Sequence, residues 1–478
     1  MSFKLFFAST FGLIKSTAKI EAEHEALIHD YHSFCEFEQS AELKEYLELD
    51  LLVKSPTFQQ RKNEIIHTIL KGSKEDAHLR EFKKLGSNKR LNQFFATLNS
   101  ENLKRFEQLS ASERLNKYKQ LKATVKDPSF DSGKKKDEKS QEFAQLKEYH
   151  SLKESDDVLF VENFAKSTEY QNYLRMKNSP ERRRFEELQQ ITEAKEFKAR
   201  IAYLEDKHKW EKTEDFAREN RLAELNKMPE LLNYLKYRNS TALDFFKKWD
   251  LVFEDHFESG KLDSSKWMTL THAAAKTMGQ NYSQPGDLHA FTDGKNISID
   301  NKSLKIEVRK EKIKGMQWHL PFGLVEQEFD YSSGLVSTAG NEWWKHGILE
   351  AKVKYAPDQN LADVIYLIGE ESSPQINLVE MGAKNRLGML TRTSEGIQAE
   401  TESISGLKAG EFYIFRLEWT THSLIWKINN REILNLNQHI PGFNMHLNAA
   451  SIVVTEPSSL PHRFEIGWIK FYQHRQKA

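Results

Sequence analysis

The first half of the chain has the apolar spacing of helices. Hydrophobic and aromatic residues recur three and four positions apart, as the buried face of an α-helix requires; examples are Leu43, Tyr46 and Leu47, then Phe185, Leu188 and Ile191, then Leu231, Tyr234 and Leu235. Several segments open with a serine or proline, which suit the first turn of a helix. The pattern predicts an all-α region that ends near residue 246.

Some of the predicted helix starts share a local frame. These are LVKSPTF (52–58), TVKDPSF (124–130), RMKNSPERRRF (175–185) and ELNKMPELLNY (224–234). A unit of about 25 residues, with one or two short helices, is plausible for stacked helical modules. The aromatic positions loosely resemble those of FF-type helical repeats. We expect helical repeats over residues 1–125 and 141–246, which offer a scaffold for a protein partner.

The two helical blocks are joined by a stretch rich in charge and turn formers. Residues 126–140 read KDPSFDSGKKKDEKS, which predicts a flexible linker. The three lysines Lys134, Lys135 and Lys136 are interpreted as a solvated part of this linker rather than as a phosphate-binding patch.

Beyond residue 249 the hydrophobic period changes to two. Apolar residues alternate with polar ones, as in Leu304, Ile306 and Val308, or Phe415, Leu417 and Trp419. Turn signals such as Asp293-Gly294 separate these segments. The pattern predicts an all-β domain of many strands over residues 249–475, so the chain is multidomain.

Charge and cysteine content narrow the classes of partner and cofactor. The first 250 residues hold 46 Lys/Arg and 43 Asp/Glu, and the remaining 228 hold 24 and 27. The net charge is zero, which gives no electrostatic reason to expect nucleic acid as a partner. Cys35 is the only cysteine, so neither an intramolecular disulfide nor a cysteine-based zinc site can form. We expect no cofactor and no metal.

The N-terminus allows two interpretations. No run of 18 apolar residues exists, so no transmembrane segment is expected. Lys4, the apolar stretch 5–14 and the small residues 16–18 have the outline of a signal peptide. Polar residues interrupt the apolar stretch and Lys15 follows it, which favours an amphipathic first helix. We expect a cytoplasmic protein, with export through residues 1–18 as the alternative.

Five segments of the second half, in order, carry a family resemblance. They are residues 249–267, 288–311, 333–355, 411–433 and 463–473, which include WDLVFEDHFESGKLDSSKW and SGLVSTAGNEWWKHGILEAKVKY. Together they resemble glycoside hydrolase family 16, the laminarinase-like β-glucanases. The resemblance implies a concanavalin A-like jelly-roll sandwich, a polysaccharide or oligosaccharide partner, and the chemistry of a retaining O-glycosyl hydrolase.

The family's active-site strand reads Glu-x-Asp-x-x-Glu with a bulge, which puts all three acids on one face. The two glutamates serve as nucleophile and acid/base, and the aspartate between them tunes their protonation. Here the strand reads QINLVE, so Glu380 occupies the acid/base position, Gln375 the nucleophile position and Asn377 the assisting position. An amide cannot attack an anomeric carbon. The substitutions therefore predict a degenerate catalytic site.

Aromatic residues near this strand are candidates for stacking on sugar rings. Trp318 and Trp343 are predicted to bind substrate, and Tyr366 to replace part of a lost stacking surface. The family usually carries a Trp-Pro element on the preceding strand, where this chain has Ala362 and Asp363. The family's histidine on the following strand has no evident counterpart.

Three functions follow from these observations. The first is a pseudoenzyme that binds a β-glucan-like carbohydrate in the ancestral groove. The second is an active endo-β-glucanase that uses Glu380 with an atypical nucleophile; a carboxylate facing Glu380 from another strand would favour it. The third is a structural or interaction protein with no glycan ligand, which a groove filled by side chains such as Tyr366 would favour.

Overall fold

The computed structural model describes residues 15–130 and 133–476. The signal-peptide and first-helix predictions fall mostly on residues 1–14, outside the described part. The predicted linker includes residues 131–132, which are also outside it, and its described portion contains a short 3-10 turn at Lys134–Lys136.

Helices fill the first half of the chain. They span Thr17–Glu38 (α1), Ala41–Lys54 (α2), Pro56–His67 (α3), Lys74–Gly86 (α4), Lys89–Leu98 (α5), Glu101–Ser110 (α6), Glu113–Lys126 (α7), Gln141–Lys153 (α8), Asp156–Lys166 (α9), Thr168–Lys177 (α10), Pro180–Glu193 (α11), Lys195–Glu205 (α12), Glu214–Leu225 (α13), Pro229–Tyr237 (α14) and Asp244–Lys248 (α15). A later short helix, α16, spans His272–Thr277. Serine hydroxyls cap many helix starts, for example Ser55 at α3 and Ser179 at α11, because they accept the free backbone N–H groups of the first turn.

Residues 41–227 form a compact helical unit with nested pairing. Helix α7 contacts α8, α6 contacts α9, α5 contacts α10, α4 contacts α11, and α2 contacts α13. Its cores are aromatic and aliphatic, formed by Leu91, Phe94, Leu103, Phe164, Tyr173 and Met176 in one cluster and by Leu115, Tyr118, Leu121, Tyr149, Val158 and Val161 in the other. Apart from α7 and α8, these partners are separated by several helices in sequence, whereas stacked modules would pair consecutive helices. The repeat itself stays a prediction.

The second compact unit contains the described residues up to Ser40 together with the chain from Met228 onward. Its strands span Trp249–Asp255 (β1), Tyr282–Ser283 (β2), His289–Phe291 (β3), Ile297–Asp300 (β4), Ser303–His319 (β5), Gly323–Ser333 (β6), Leu335–Ser337 (β7), Gly347–Lys354 (β8), Leu361–Ile368 (β9), Gln375–Gly382 (β10), Arg386–Thr393 (β11), Gly396–Ser403 (β12), Phe412–Trp419 (β13), Leu424–Ile428 (β14), Arg431–Leu436 (β15), His446–Val453 (β16) and His462–His474 (β17).

Among the described residues these strands form a β-sandwich of two sheets, with 11 and 6 strands. The larger sheet has the order β15-β14-β13-β8-β17-β5-β6-β3, and the smaller has the order β12-β11-β10-β9-β16-β7. Alternate residues of each strand face one core, which includes Leu349, Phe415, Ile365 and Leu447. The predicted fold class, an all-α region followed by an all-β sandwich, is confirmed.

Helix α1 packs against the sandwich on the outer face of the larger sheet. Ile20 is buried with Ile414 and Trp468. The Glu21 carboxylate accepts hydrogen bonds from Lys352 Nζ at 2.9 Å and from Trp468 Nε1 at 2.8 Å. The predicted boundaries, with a sandwich limited to residues 249–475, stay a proposal beside this grouping. Within residues 15–130 and 133–476, no helix combines the length and the apolar character that crossing a membrane requires.

Candidate functional site

Strand β10 places the three predicted residues on one face because its pairing contains a bulge. Asn377 is opposite Tyr366 of β9, and the next pair along skips Leu378, which is the extra residue. The pairing with β11 shifts over the same stretch, between Asn377 and Glu380. An inserted residue resets the alternation of side chains. Glu380 therefore faces the same way as Gln375 and Asn377.

The inner face of β10 belongs to the core and holds the bulge in place. Ile376, Leu378, Val379 and Met381 are all buried in the core cluster. From the larger sheet, the buried Trp426 Nε1 donates a hydrogen bond of 2.9 Å to the carbonyl oxygen of Asn377. A bulge interrupts the strand ladder at this point, and a buried carbonyl needs a partner. The indole supplies it from across the core.

The outward side chains of β10 form one hydrogen-bonded chain that ends on an arginine. Gln375 Nε2 donates to Asn377 Oδ1 at 2.6 Å, and Asn377 Nδ2 donates to Glu380 Oε2 at 3.0 Å. The same carboxylate oxygen accepts from Arg386 Nε on β11 at 2.7 Å. Asn377 is 1% exposed and Glu380 is 7% exposed. The Glu380 carboxyl group is thus largely buried and paired with a guanidinium.

The acid of the neighbouring strand points away from this site. Asp363 of β9 lies on the inner side, where its Oδ2 contacts His462 Nε2 at 2.7 Å and its Oδ1 accepts a hydrogen bond from Ser451. Burial acts to lower the pKa of His462, but the hydrogen bond and charge of Asp363 outweigh it and leave this pKa raised. Asp363 is therefore occupied by a buried ion pair and does not face Glu380.

The structure brings Tyr366 to the predicted group but not Trp318. Tyr366 is half-buried and lies beside Asn377 in the sheet. Burial raises the pKa of its phenol to about 12, which a hydrogen bond with Asn448 partly offsets. Trp318 is 41% exposed and sits near the tip of the β5–β6 hairpin in the larger sheet. Strand β5, which carries Trp318, and strand β10 belong to different sheets.

Trp343 joins the same face of the smaller sheet through β16. Its ring centroid is 4.4 Å from that of His446 and 4.9 Å from that of His272. Its Nε1 donates to the carbonyl of Ala339 at 2.8 Å, which fixes the orientation of the ring. His446 and Asn448 lie on β16 opposite Ile368 and Tyr366 of β9, so they continue the row of outward residues that includes Asn377.

A pocket of about 680 Å³ adjoins these aromatic residues. It is lined by His272, Trp343, Glu370, Glu371, Phe443 and Asn444. The Glu370 carboxylate pairs with His272 Nε2 at 2.9 Å and with Lys276, and these contacts lower its pKa. The pocket combines aromatic walls with polar groups, a composition typical of small-molecule sites.

Arg386, His446 and Asn448 were not identified from the sequence. Each stands at an outward position in a strand whose alternate residues, such as Leu387 and Leu447, are buried in the core. That alternation is visible in RLGML and HLNAA. This alternation identifies polar residues on one face of a strand. Which strand lies next to it, and in which register, is determined by the fold. Among residues 15–130 and 133–476, no group of three or more His, Cys, Asp or Glu side chains could hold a metal ion.

Comparison with known proteins finds a similar sequence and similar structures for part of the chain. No protein-family model matches the chain. The Clotting factor G alpha subunit of Tachypleus tridentatus is 22% identical over 196 residues, which are 39% of this chain. The match spans 26% of that relative, about a quarter of its length.

Solved laminarinase structures match about half of the chain. The catalytic domain of an endo-1,3-beta-glucanase (laminarinase) from Thermotoga petrophila RKU-1 has a TM-score of 0.39 and 20% identity, and covers 48% of this chain and 99% of its own. SCLam, a non-specific endo-beta-1,3(4)-glucanase from family GH16, has a TM-score of 0.38 and 19% identity, and covers 48% and 92%. The chain is thus similar, over its sandwich half, to laminarinases of glycoside hydrolase family 16.

Proposed function

We propose that the sandwich unit is a degenerate family 16 glycosidase domain that binds a β-glucan-like carbohydrate without cleaving it. The observation that carries this proposal is the hydrogen-bonded chain from Gln375 through Asn377 to Glu380, which Arg386 closes at its end. By the resemblance, Gln375 and Glu380 stand at the two positions where a retaining glycosidase carries its reactive carboxyl groups.

The chemistry of retention requires one carboxylate to attack the sugar and one carboxylic acid to protonate the leaving oxygen. Gln375 presents an amide, which has no anionic form that could attack. The Glu380 carboxyl already accepts hydrogen bonds at Oε2 from Arg386 Nε and Asn377 Nδ2, so one of its two oxygens is occupied. The step that attacks the sugar therefore loses its group.

Binding is supported by what remains around this strand. Amide side chains donate and accept hydrogen bonds, as sugar hydroxyls require, and carry no charge. Trp343 and the adjoining pocket supply an aromatic wall and a volume of about 680 Å³ beside them. These features suit a ligand that stacks on one side and forms hydrogen bonds on the other.

A second candidate function is a scaffold with no glycan ligand. The burial of Asn377 and Glu380 favours it, because these side chains already satisfy one another. A protein partner that binds the helical unit is compatible with both candidate functions. The exposed Leu47 and Leu51, one turn apart on α2, are the surface such a partner would use.

The test of the proposed function is a reducing-end assay on the purified full chain with β-1,3-glucan and mixed-linkage glucan. We expect no release of reducing ends over long incubation at high protein concentration. The Glu380→Gln variant is the matched control, because it removes the last carboxylate of the motif with little change in shape. Turnover in the natural chain that disappears in this variant would show that the domain is an active hydrolase.

A further inference from the structure

Two buried polar atoms on the outer face of β16 have no protein partner. His446 is 2% exposed and Asn448 is 4% exposed. His446 Nδ1 and Asn448 Oδ1 nevertheless lack any hydrogen-bond partner among the described residues. Polar atoms this deeply buried are nearly always paired in folded proteins, because an unpaired one keeps the full cost of leaving water. Two such atoms on neighbouring outward positions indicate that something outside the chain pairs with them.

The contacts between the two side chains determine which free atom donates a hydrogen bond and which accepts one. Asn448 Nδ2 lies 3.4 Å from His446 Nε2, and the Asn448 amide also forms a hydrogen bond with Tyr366. Burial lowers the pKa of His446 to about 4, so the ring is neutral near pH 7 and carries one N–H. When Asn448 donates to Nε2, the proton is on Nδ1, which leaves a free donor there and a free acceptor at Asn448 Oδ1. Rotating the amide by half a turn exchanges the two roles and still leaves one donor and one acceptor.

The surroundings of this pair match a ring-shaped ligand. The Trp343 ring lies 4.4 Å from His446, and His272 lies 5.4 Å from it, measured between ring centroids. Both residues also line the pocket of about 680 Å³. Trp343 and His272 thus connect the pair with a pocket that has an aromatic wall, although His446 and Asn448 do not themselves line it.

We propose that His446 and Asn448 bind a vicinal pair of hydroxyl groups on an uncharged sugar ring, with Trp343 against the apolar face of that ring. One hydroxyl accepts from the histidine N–H and its neighbour donates to the asparagine oxygen. A carboxylate has no proton to donate, and an ammonium group has no lone pair to accept with. A trans amide directs its N–H and C=O to opposite sides. Adjacent hydroxyls supply both roles on one side.

This inference rests on the proposed function and moves the main contact with the glycan from β10 to β16. Gln375, Asn377 and Glu380 satisfy one another, whereas the β16 pair is left with unmet hydrogen bonds. The retired catalytic residues then form one side of the groove, and specificity depends on residues that the catalytic motif does not include.

The test is calorimetric titration of the full chain with laminarihexaose and cellohexaose. We compare the natural chain with His446→Phe, Asn448→Leu and the double variant, which keep side-chain volume and remove the free donor or acceptor. We expect Kd to rise about tenfold in each single variant, the effect of losing one buried hydrogen bond to the ligand. The exposed turn residue His422, changed to Phe, is the control and should leave Kd unchanged.

Thermal unfolding without ligand separates binding from a structural role. Replacing a pair of unmet polar groups with apolar groups of similar shape should keep or raise Tm. A weakened affinity with a lowered Tm would mean that the pair holds the fold, and would overturn the inference. Equal Kd values in the natural chain and in the variants would overturn it while leaving the proposed function intact. Failure of the natural chain to bind either hexasaccharide would contradict both.

Discussion

At the scale of single residues, charge pairing decides what the motif on β10 can do. Gln375 and Asn377 are amides where the family resemblance predicts acids, so they carry no charge but have nearly the same shape. The remaining acid, Glu380, is stabilised by a cation that the motif itself does not contain. Its 10% side-chain exposure, with 21% for Arg386, makes this a mostly buried ion pair. Such a pair contributes little net stability, but breaking it leaves an uncompensated charge.

Removal of the cation alone should therefore destabilise the sandwich. We predict that Arg386→Met lowers the free energy of unfolding by about 3 kcal/mol, because Glu380 is left buried without its partner. The double variant Arg386→Met with Glu380→Gln should recover much of this loss. Urea unfolding followed by tryptophan fluorescence measures both.

The exposed pair of Lys312 and Glu328 on the β5–β6 hairpin is the matched control for that experiment. Lys312→Met should change stability far less, because solvent screens an exposed pair. An equal loss of unfolding free energy in Lys312→Met and Arg386→Met would mean that the Arg386 contact is no stronger than a surface ion pair.

A buried histidine gives the sandwich a predictable response to acid. Burial lowers the pKa of His289 to about 4 from a usual value near 6.5. The unfolded chain then binds a proton that the folded chain does not, so stability is present above pH 6.5 and is lost as pH falls toward 4. His446 acts in the same direction, while the raised pKa of His462 acts in the opposite direction.

We predict that His289→Gln reduces the loss of stability between pH 7 and pH 5 by about 2 kcal/mol. The comparison is urea unfolding at the two pH values in the natural chain and in the variant. The exposed His422→Gln serves as the control with an unchanged slope. An unchanged slope in His289→Gln would contradict the assignment of a buried neutral imidazole.

At the scale of elements, the sequence predicted which segments are helices and which are strands, but not which elements pack against each other. Periods of three to four and of two distinguish helices from strands, because each depends only on nearby residues. The resemblance to the family's active-site strand also implied a bulge between Gln375 and Glu380. The nested pairing of α2 to α13 and the packing of α1 on the larger sheet depend on contacts across hundreds of residues. The sequence could not predict the roles of Arg386, Trp426 and His446 for the same reason, because these roles depend on the register between strands.

The helical unit offers a matched test of capping. Ser112 at the start of α7 and Ser155 at the start of α9 both donate to a carbonyl three residues earlier. Only Ser112 also accepts from a backbone N–H of its helix, that of Leu115 at 3.2 Å. We predict that Ser112→Ala lowers the free energy of unfolding by about 1 kcal/mol, and Ser155→Ala by less. Urea unfolding followed by circular dichroism measures both. A larger loss in Ser155→Ala would contradict the capping assignment.

At the scale of the whole molecule, the chain contains two compact units, and the candidate site lies in the sandwich unit. Residues 41–227 interrupt this unit in sequence, since the chain leaves it at Ser40 and returns at Met228. Because α1 contributes Ile20 and Glu21 to the outer face of the larger sheet, experiments on the site should keep the N-terminal helix present.

The central claim is that the groove has lost cleavage and kept binding. Its most direct test compares the natural chain with the Gln375→Glu/Asn377→Asp double variant on soluble β-1,3-glucan. Calorimetry measures binding, and reducing-end release measures cleavage. We predict that the natural chain binds and releases no reducing ends, and that the double variant binds and cleaves slowly with retention of anomeric configuration. Hydrolysis by the natural chain, or no glucan binding by either protein, would contradict the claim.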